Sequence, residues 1–175
     1  MPERKQKKES GSFPKARKIT IAGLLGGIAI LLGVTSLGFI PTPLGITLTI
    51  MHIPVIIGAI MEGPYVGLAT GLIFGLSSFL WPRSPAMADP LVSVLPRLFI
   101  GPVAYLAYNT TKKYWTAAIA GTATNTLGVL GMILIKGYLP AKVVFTVALT
   151  NGLSEIALAV IIVQVLMRPL ARLRS

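Results

Sequence analysis

The sequence contains no cysteine and a single histidine among its 175 residues. Disulfide bonds, thiol chemistry and cysteine-ligated metals are therefore excluded, and a zinc site is disfavoured because its usual ligands are missing. Acidic residues number only five, and the sequence shows no paired-carboxylate, Ser–His or H-E-x-x-H arrangement. It also lacks the glycine-rich phosphate-binding loop with which a chain could hydrolyse ATP alone. These absences predict a protein that is not an enzyme and that uses no cofactor or metal.

Charged residues are scarce as well. They form 12% of the chain, against about 25% in soluble domains, while hydrophobic residues reach 54%. A basic cluster ahead of an apolar run is typical of a membrane topology signal. Nucleic-acid binding is disfavoured because Phe13 is the one aromatic residue within the cluster. Much of the net charge of +11 lies ahead of the first apolar run, at Arg4, Lys5, Lys7, Lys8, Lys15, Arg17 and Lys18.

The rest of the chain is divided into apolar segments by proline-rich, glycine-rich or basic connections. They cover residues 19–40, 48–61, 65–80, 91–108, 114–135 and 141–167. Helices are favoured over the strands of a barrel, because the segments do not alternate polar with apolar residues. We therefore predict an all-α polytopic membrane protein with a six-transmembrane-helix bundle. Its parts are a disordered basic tail (1–18), a substrate-binding membrane domain (19–168) and a basic C-terminus (169–175).

The distribution of Lys and Arg predicts the orientation. With the N-terminus in the cytoplasm, the inside receives seven basic residues from the tail, two at 112–113 and three near the C-terminus, out of 16. The positive-inside rule then places both termini in the cytoplasm of a multi-pass cell-membrane protein. The loops at 41–47, 81–90 and 136–140 face outside. They are longer than the inner connections and include proline-rich stretches, so we expect a site that is reached from outside.

An arginine interrupts the apolar run "LVSVLPRLFIGP" at 91–102. Ionisable groups within membrane segments are costly and usually face a bundle interior or a cavity. Counting helical turns from the outer ends places Arg97, Asn125, Asn151 and Glu155 at similar depths, where they could share one pocket. Arg97 could bind an anionic group of a substrate. Alternatively it could pair with Glu155, or cap backbone carbonyls freed by the neighbouring prolines.

The other polar residues of the spans have two interpretations each. Glu155 could bind a substrate hydroxyl or amide instead of pairing with the arginine, and Asn125 and Asn151 could orient a ligand or join helices. His52 starts a short helix near the outer surface, where a packing role is favoured over ligand contact. Trp81 follows the third segment, and an interfacial anchor is favoured there over a cover for the ligand.

The first apolar segment carries two pairs of small residues four positions apart. These are Ala22 with Gly26 and Gly23 with Gly27. Small residues at this spacing let another helix approach closely. The pairs could serve packing inside the bundle, or they could dock a partner subunit in the membrane.

These features together resemble the substrate-binding S component of energy-coupling factor (ECF) vitamin importers. The stretches that carry the resemblance are "TIMHIPVIIGAIMEGPYVGLATGLIFGLSSFL" at 49–80 and "DPLVSVLPRLFIGPVAYLAY" at 89–108. The resemblance implies a six-helix bundle that encloses one vitamin between its outer loops and the outer ends of helices 4–6. It further implies docking through helices 1–3 on a transmembrane coupling subunit, which joins two cytoplasmic ATPases. Family members often carry Ala-x-x-x-Ala in helix 1, and this chain departs from it at Gly26.

The stretches "HIPVIIGAI" and "DPLVSVLPR" look most like members associated with pantothenate. The resemblance then implies that Arg97 holds the vitamin's carboxylate and that the two asparagines and Glu155 serve its amide and hydroxyls. Riboflavin is the rival vitamin, for which Trp81, Phe79 and Phe99 would stack on the flat ring. Outside the family, the alternatives are a small intramembrane enzyme and a channel or scaffold.

Overall fold

The computed structural model describes residues 13–35, 37–41 and 47–172. Most of the predicted tail, at 1–12, and the last predicted C-terminal residues, 173–175, lie outside this part of the chain. The described residues form eight α-helices and one antiparallel β-hairpin. The helices are α1 Phe13–Val34, α2 Ile53–Glu62, α3 Pro64–Leu80, α4 Pro90–Ser93, α5 Leu95–Thr111, α6 Tyr114–Ile135, α7 Ala141–Val147 and α8 Leu153–Arg172, and the strands are β1 Phe39–Pro41 and β2 Thr47–Thr49.

The prediction of an all-α membrane bundle is confirmed, although the count of six spans is not matched. Four helical stretches of the described chain are long and apolar enough to cross a membrane: Lys15–Val34, Pro90–Thr111, Tyr114–Ile135 and Ala141–Leu170. The segments predicted second and third form the shorter helices α2 and α3. With 10 residues, α2 extends only about 15 Å, and most of it is buried in the bundle core.

Helix α1 begins at Phe13 rather than at the predicted boundary after residue 18. Residues 13–18 are therefore helical, and the proposed disorder concerns residues outside the described part. Lys and Arg are good helix formers, so the helix extends beyond its apolar stretch. The Arg17 guanidinium also forms an ion pair with Glu62, at 2.7 Å between Nη2 and Oε1, which ties the start of α1 to the end of α2.

The connection between the first two segments is a second correction. A loop was predicted for 41–47 and a helix from 48, whereas residues 47–49 form strand β2, paired with β1 in the register Phe39 to Thr49. The alternating β-branched residues of the Thr-Leu-Thr strand favour this conformation. Helix α2 starts only at Ile53, where Pro54 suits the first helical turn.

The fourth and sixth predicted segments are each interrupted, near the 81–90 and the 136–140 connection respectively. Between α4 and α5 the helix breaks at Val94, just before Pro96. The Asp89 side chain accepts a 2.9 Å hydrogen bond from the Leu91 N–H and so caps the start of α4. Between α7 and α8, residues Ala148–Gly152 form a π-helical turn. Such turns are frequent at functional sites.

Helices α3 and α5 are in backbone contact. A Cβ atom added to Gly101 would lie 2.3 Å from the Gly67 carbonyl carbon, and one added to Gly71 would lie 2.3 Å from the Arg97 carbonyl oxygen. Only glycine allows this approach, so the glycines of α3 fix the position of the start of α5. That position sets where the Arg97 side chain enters the bundle.

The two ends of the bundle differ in charge. The hairpin, the 81–90 connection and the 136–140 connection lie at one end, where α1, α3 and α6 finish. The tight connections at Gly63 and at 112–113 lie at the other end, with the start of α1 and the end of α8. Seven basic side chains of the described chain belong to this second end: Lys15, Arg17, Lys18, Lys112, Lys113, Arg168 and Arg172.

Candidate functional site

A cavity of about 270 Å³ lies at the end of the bundle that carries the hairpin. Small-molecule pockets span roughly 300–1,000 Å³, so this one suits a small ligand. Its wall is built from the ends of α1 and α3, the start of α5, the second half of α6 and the α7–α8 turn, with Phe39 and Thr49 of the hairpin contributing. Five of the six residues that the sequence singled out for substrate binding line it: Trp81, Arg97, Asn125, Asn151 and Glu155.

Arg97 caps carbonyl groups that the helix break leaves free. Its Nη1 donates to the carbonyl oxygens of Ser93 and, at 3.4 Å, Val92. Pro96 has no N–H for the Val92 carbonyl, and the Arg97 N–H bonds Val94 rather than Ser93. The capping role considered for Arg97 therefore occurs, and it uses one nitrogen of the guanidinium.

The remaining faces of the Arg97 guanidinium meet no anion. Its Cζ lies 4.7 Å from the centre of the Phe74 ring, a cation–π contact. Its Nη2 lies 3.7 Å from the Met87 sulfur. Nε is buried, and no acceptor among the described residues reaches it. The ion pair with Glu155, the other alternative, is absent from the described residues. The cavity therefore contains a fixed cation that has no counter-ion among the described residues.

Glu155 instead holds the hairpin. Its Oε1 accepts hydrogen bonds from the Thr49 N–H at 2.9 Å and from the Thr49 hydroxyl at 2.7 Å. Its Oε2 accepts one from the Thr126 hydroxyl at 3.0 Å. Three donors satisfy much of a buried carboxylate. Glu155 thus joins β2, α6 and α8, and its Oε2 retains capacity for one further donor.

The two asparagines lie beside these charges. Asn125 is 8% exposed, and its Oδ1 has no donor among the residues that the structure describes. Asn151 lies in the π-helical turn, where its Oδ1 accepts a 3.3 Å hydrogen bond from Thr150. A buried amide oxygen without a partner is rare in native proteins. Asn125 is therefore a stronger candidate for ligand contact than Asn151.

His52 and Trp81 differ in their relation to the cavity. His52 is fully buried at the start of α2, with its Nε2 2.9 Å from the Thr122 hydroxyl, and it is not part of the cavity wall. This position matches the packing interpretation. Trp81 follows the end of α3, lines the cavity and is 55% exposed. It therefore lies at the rim, where it could serve as an anchor and as a cover.

The rim of the cavity is held by two basic residues. Arg83 donates a 2.5 Å hydrogen bond to the Gly33 carbonyl and lies over the Phe39 ring, which joins the 81–90 connection to α1 and β1. Lys136 forms a 3.1 Å ion pair with Asp89. The Leu91 N–H, and after it Lys136, lower the pKa of Asp89, so the Asp89 carboxylate stays charged at neutral pH.

The two pairs of small residues in α1 face different ways. A Cβ on Gly26 would lie 2.7 Å from Ile73 Cδ1, and Ala22 is buried, so this pair packs inside the bundle. Gly23 and Gly27 are exposed, with no heavy atom from elsewhere in the described chain within 4 Å of an added Cβ. Only the second pair is open to a partner.

Sequence reasoning missed Thr49, Thr126, Phe74 and Met87. Each contacts one of the two charged side chains. The signal for Thr126 was its position next to Asn125, but a hydroxyl within an apolar helix is common. Thr49 lies 106 positions from its partner Glu155, and nothing local marks such a contact.

Comparison with known proteins agrees with this architecture. A family model described as "ECF transporter, substrate-specific component" matches residues 17–167. The chain is also 30% identical over 165 residues to "Pantothenic acid transporter PanT" of Lactococcus lactis subsp. cremoris (strain MG1363), with 76% of this chain and 82% of the relative covered.

Proposed function

The chain belongs to the family of ECF transporter substrate-specific components, and from this premise we propose that it captures pantothenate. The family is a component of vitamin importers in the cell membrane, and not an enzyme family. The single observation that carries the choice of ligand is the Arg97 guanidinium, which lines a small cavity and has no counter-ion in the part of the chain that the structure describes. The similarity to a pantothenic acid transporter supports the same choice.

The chemistry of pantothenate fits the wall of the cavity. The vitamin has one carboxylate, one amide and two hydroxyls. We assign the carboxylate to Arg97, because a buried cation without a partner is costly and a carboxylate neutralises it. Asn125 Oδ1 would accept from the amide N–H or a hydroxyl, Asn151 would serve the other polar groups, and Glu155 Oε2 would accept from a hydroxyl. Trp81 would cover the ligand at the rim, while His52 would join the start of α2 to α6 through its contact with Thr122.

Riboflavin fits the cavity less well. Of the three aromatic residues expected to stack on its ring system, Phe79 and Phe99 are not part of the cavity wall. Phe99 is 53% exposed on the outer face of α5. The volume of about 270 Å³ also favours the smaller, more flexible vitamin.

The orientation and partners follow from the two ends of the bundle. The basic end would face the cytoplasm with both termini, and the cavity would open to the outside. The face of α1 around Gly23 and Gly27 would dock on the transmembrane coupling subunit, because an open small-residue face allows close helix contact. Two cytoplasmic ATPases bound to that subunit would drive release of the vitamin inward.

Native mass spectrometry of the detergent-purified protein tests the choice of ligand. We expect a stoichiometric adduct with the mass of pantothenate, and calorimetry on stripped protein should return one site per chain. A flavin adduct would reject the assignment to Arg97. Hydrolysis of lipid or peptide substrates would support an enzyme instead, and passive solute flux through liposomes of the purified protein would support a channel.

A further inference from the structure

The Arg97 guanidinium presents one edge that lacks an oxygen partner. Both contacts of Nη1 are to carbonyl groups, those of Ser93 and Val92. The other edge consists of Nε and Nη2. Nε has no acceptor among the described residues, and Nη2 donates to the Met87 sulfur. A guanidinium binds a carboxylate through two parallel N–H bonds. The contacts of Nη1 leave the Nε–Nη2 edge for that purpose.

The Met87 thioether is a weak occupant of this edge. Sulfur accepts hydrogen bonds poorly, and its distance of 3.7 Å to Nη2 compares with about 2.7–2.9 Å for a guanidinium and a carboxylate. A carboxylate oxygen would therefore replace the sulfur readily. Nε of Arg97 is itself buried, so a carboxylate that binds through both nitrogens must uncover Nε as well as replace the sulfur.

The backbone around Met87 is held, and its partly buried side chain packs against the apolar cluster that includes Leu130 and Val144. Met87 lies in the 3-10 turn Pro85–Ala88, and its N–H donates a 2.9 Å bond to Ser84. Asp89, which follows the turn, is fixed by its bonds to Leu91 and Lys136. Methionine is unbranched and adopts several rotamers at low cost. A change at this site therefore involves the side chain rather than the loop.

We propose that Met87 is a displaceable plug of the carboxylate site. Its thioether lies against Nη2 of the Nε–Nη2 edge of Arg97 and leaves when the pantothenate carboxylate binds side-on. The plug acts as an intramolecular competitor, which lowers the apparent affinity for ligands that carry the carboxylate. Ligands without it leave the plug in place. This inference rests on the proposed function and adds a specificity-determining residue to it.

The test compares pantothenate with panthenol, the alcohol analogue without the carboxylate, by calorimetry on the full chain. Met87→Leu keeps the apolar volume and removes the sulfur acceptor. It should tighten the Kd for pantothenate by about three- to tenfold, since a larger fraction of the protein is competent to bind. The Kd for panthenol should stay unchanged. Met51→Leu is the matched control, because Met51 also lines the cavity but, within the described part of the chain, makes no hydrogen bond to Arg97. It should affect both ligands alike.

Each outcome has a distinct meaning. Three results would overturn the plug and leave the proposed function standing. They are an equal effect of Met87→Leu on both ligands, weaker binding of pantothenate, and no effect. Failure of the unmodified protein to bind pantothenate would reject the proposed function and the plug together. A structure of the complex gives an independent check: both Nε and Nη2 should bond the carboxylate, with the Met87 sulfur withdrawn.

Discussion

Substitution of Gly71 by alanine should displace Arg97 without altering any polar group. The added Cβ would lie 2.3 Å from the Arg97 carbonyl oxygen, whereas ordinary contact begins at 3.4 Å. Helices α3 and α5 must therefore separate by roughly 1 Å locally, at a cost of about 1–3 kcal/mol for overpacking. The gain in helix propensity of about 0.5–1 kcal/mol offsets part of that cost.

The displacement should weaken ligand binding more than it weakens the fold. A misplacement of about 1 Å reduces the function of a positioned group by up to 100-fold, so we expect the Kd for pantothenate to rise about 10- to 100-fold. Calorimetry measures the Kd, and thermal unfolding in detergent measures stability. Gly131→Ala is the matched control, since no described heavy atom from elsewhere lies within 4 Å of its added Cβ. Parent-like affinity in Gly71→Ala would refute the claim that glycine contacts position Arg97.

Three further predictions concern the hairpin, the docking face and the orientation. Glu155→Gln should speed dissociation of the ligand about tenfold in stopped-flow measurements, because neutral hydrogen bonds hold the hairpin more weakly than charged ones; an unchanged rate would contradict this. Gly27→Leu should abolish copurification of the coupling subunit but keep ligand binding, whereas Gly26→Leu should prevent folding. The reverse pattern would mean that Gly26 faces the partner and Gly27 the bundle. In this cysteine-free chain, Ser84→Cys should label on intact cells and Lys112→Cys only after permeabilisation; the opposite result would invert the topology.

Much of the fold could be predicted from the sequence, because a bilayer requires long apolar segments whose backbone polar groups are paired within helices. The lengths of the apolar segments and the connections between them predicted an all-α membrane bundle correctly, but not the number of helices long enough to span the membrane. The hairpin was missed because its strands are only three residues long and are stabilised by a distant carboxylate. The start of α1 was placed too late, because the prediction followed the apolar run from residue 19, whereas the polar residues before it are also helical.

The candidate site was accessible in part, for a related reason. Counting turns brought Arg97, Asn125, Asn151 and Glu155 to one cavity, since depth in a helix is linear in residue number. Their roles in ligand binding stay a prediction. Sequence could not decide whether Arg97 pairs with Glu155, because the answer depends on side-chain direction across three helices. Which small-residue pair of α1 faces the bundle likewise depends on the rotation of the helix about its axis, and only tertiary packing fixes that rotation.

The central claim is that Arg97 recognises the carboxylate of the captured vitamin. The most direct test is a double cycle in which pantothenate and panthenol are each titrated into the parent protein and into Arg97→Gln. If the claim holds, the parent prefers pantothenate, and the substitution costs about 2–5 kcal/mol for pantothenate, the usual loss on truncating a buried charge pair, with little change for panthenol. Equal losses for both ligands would contradict it, because Arg97 would then act only as a cap for the broken helix.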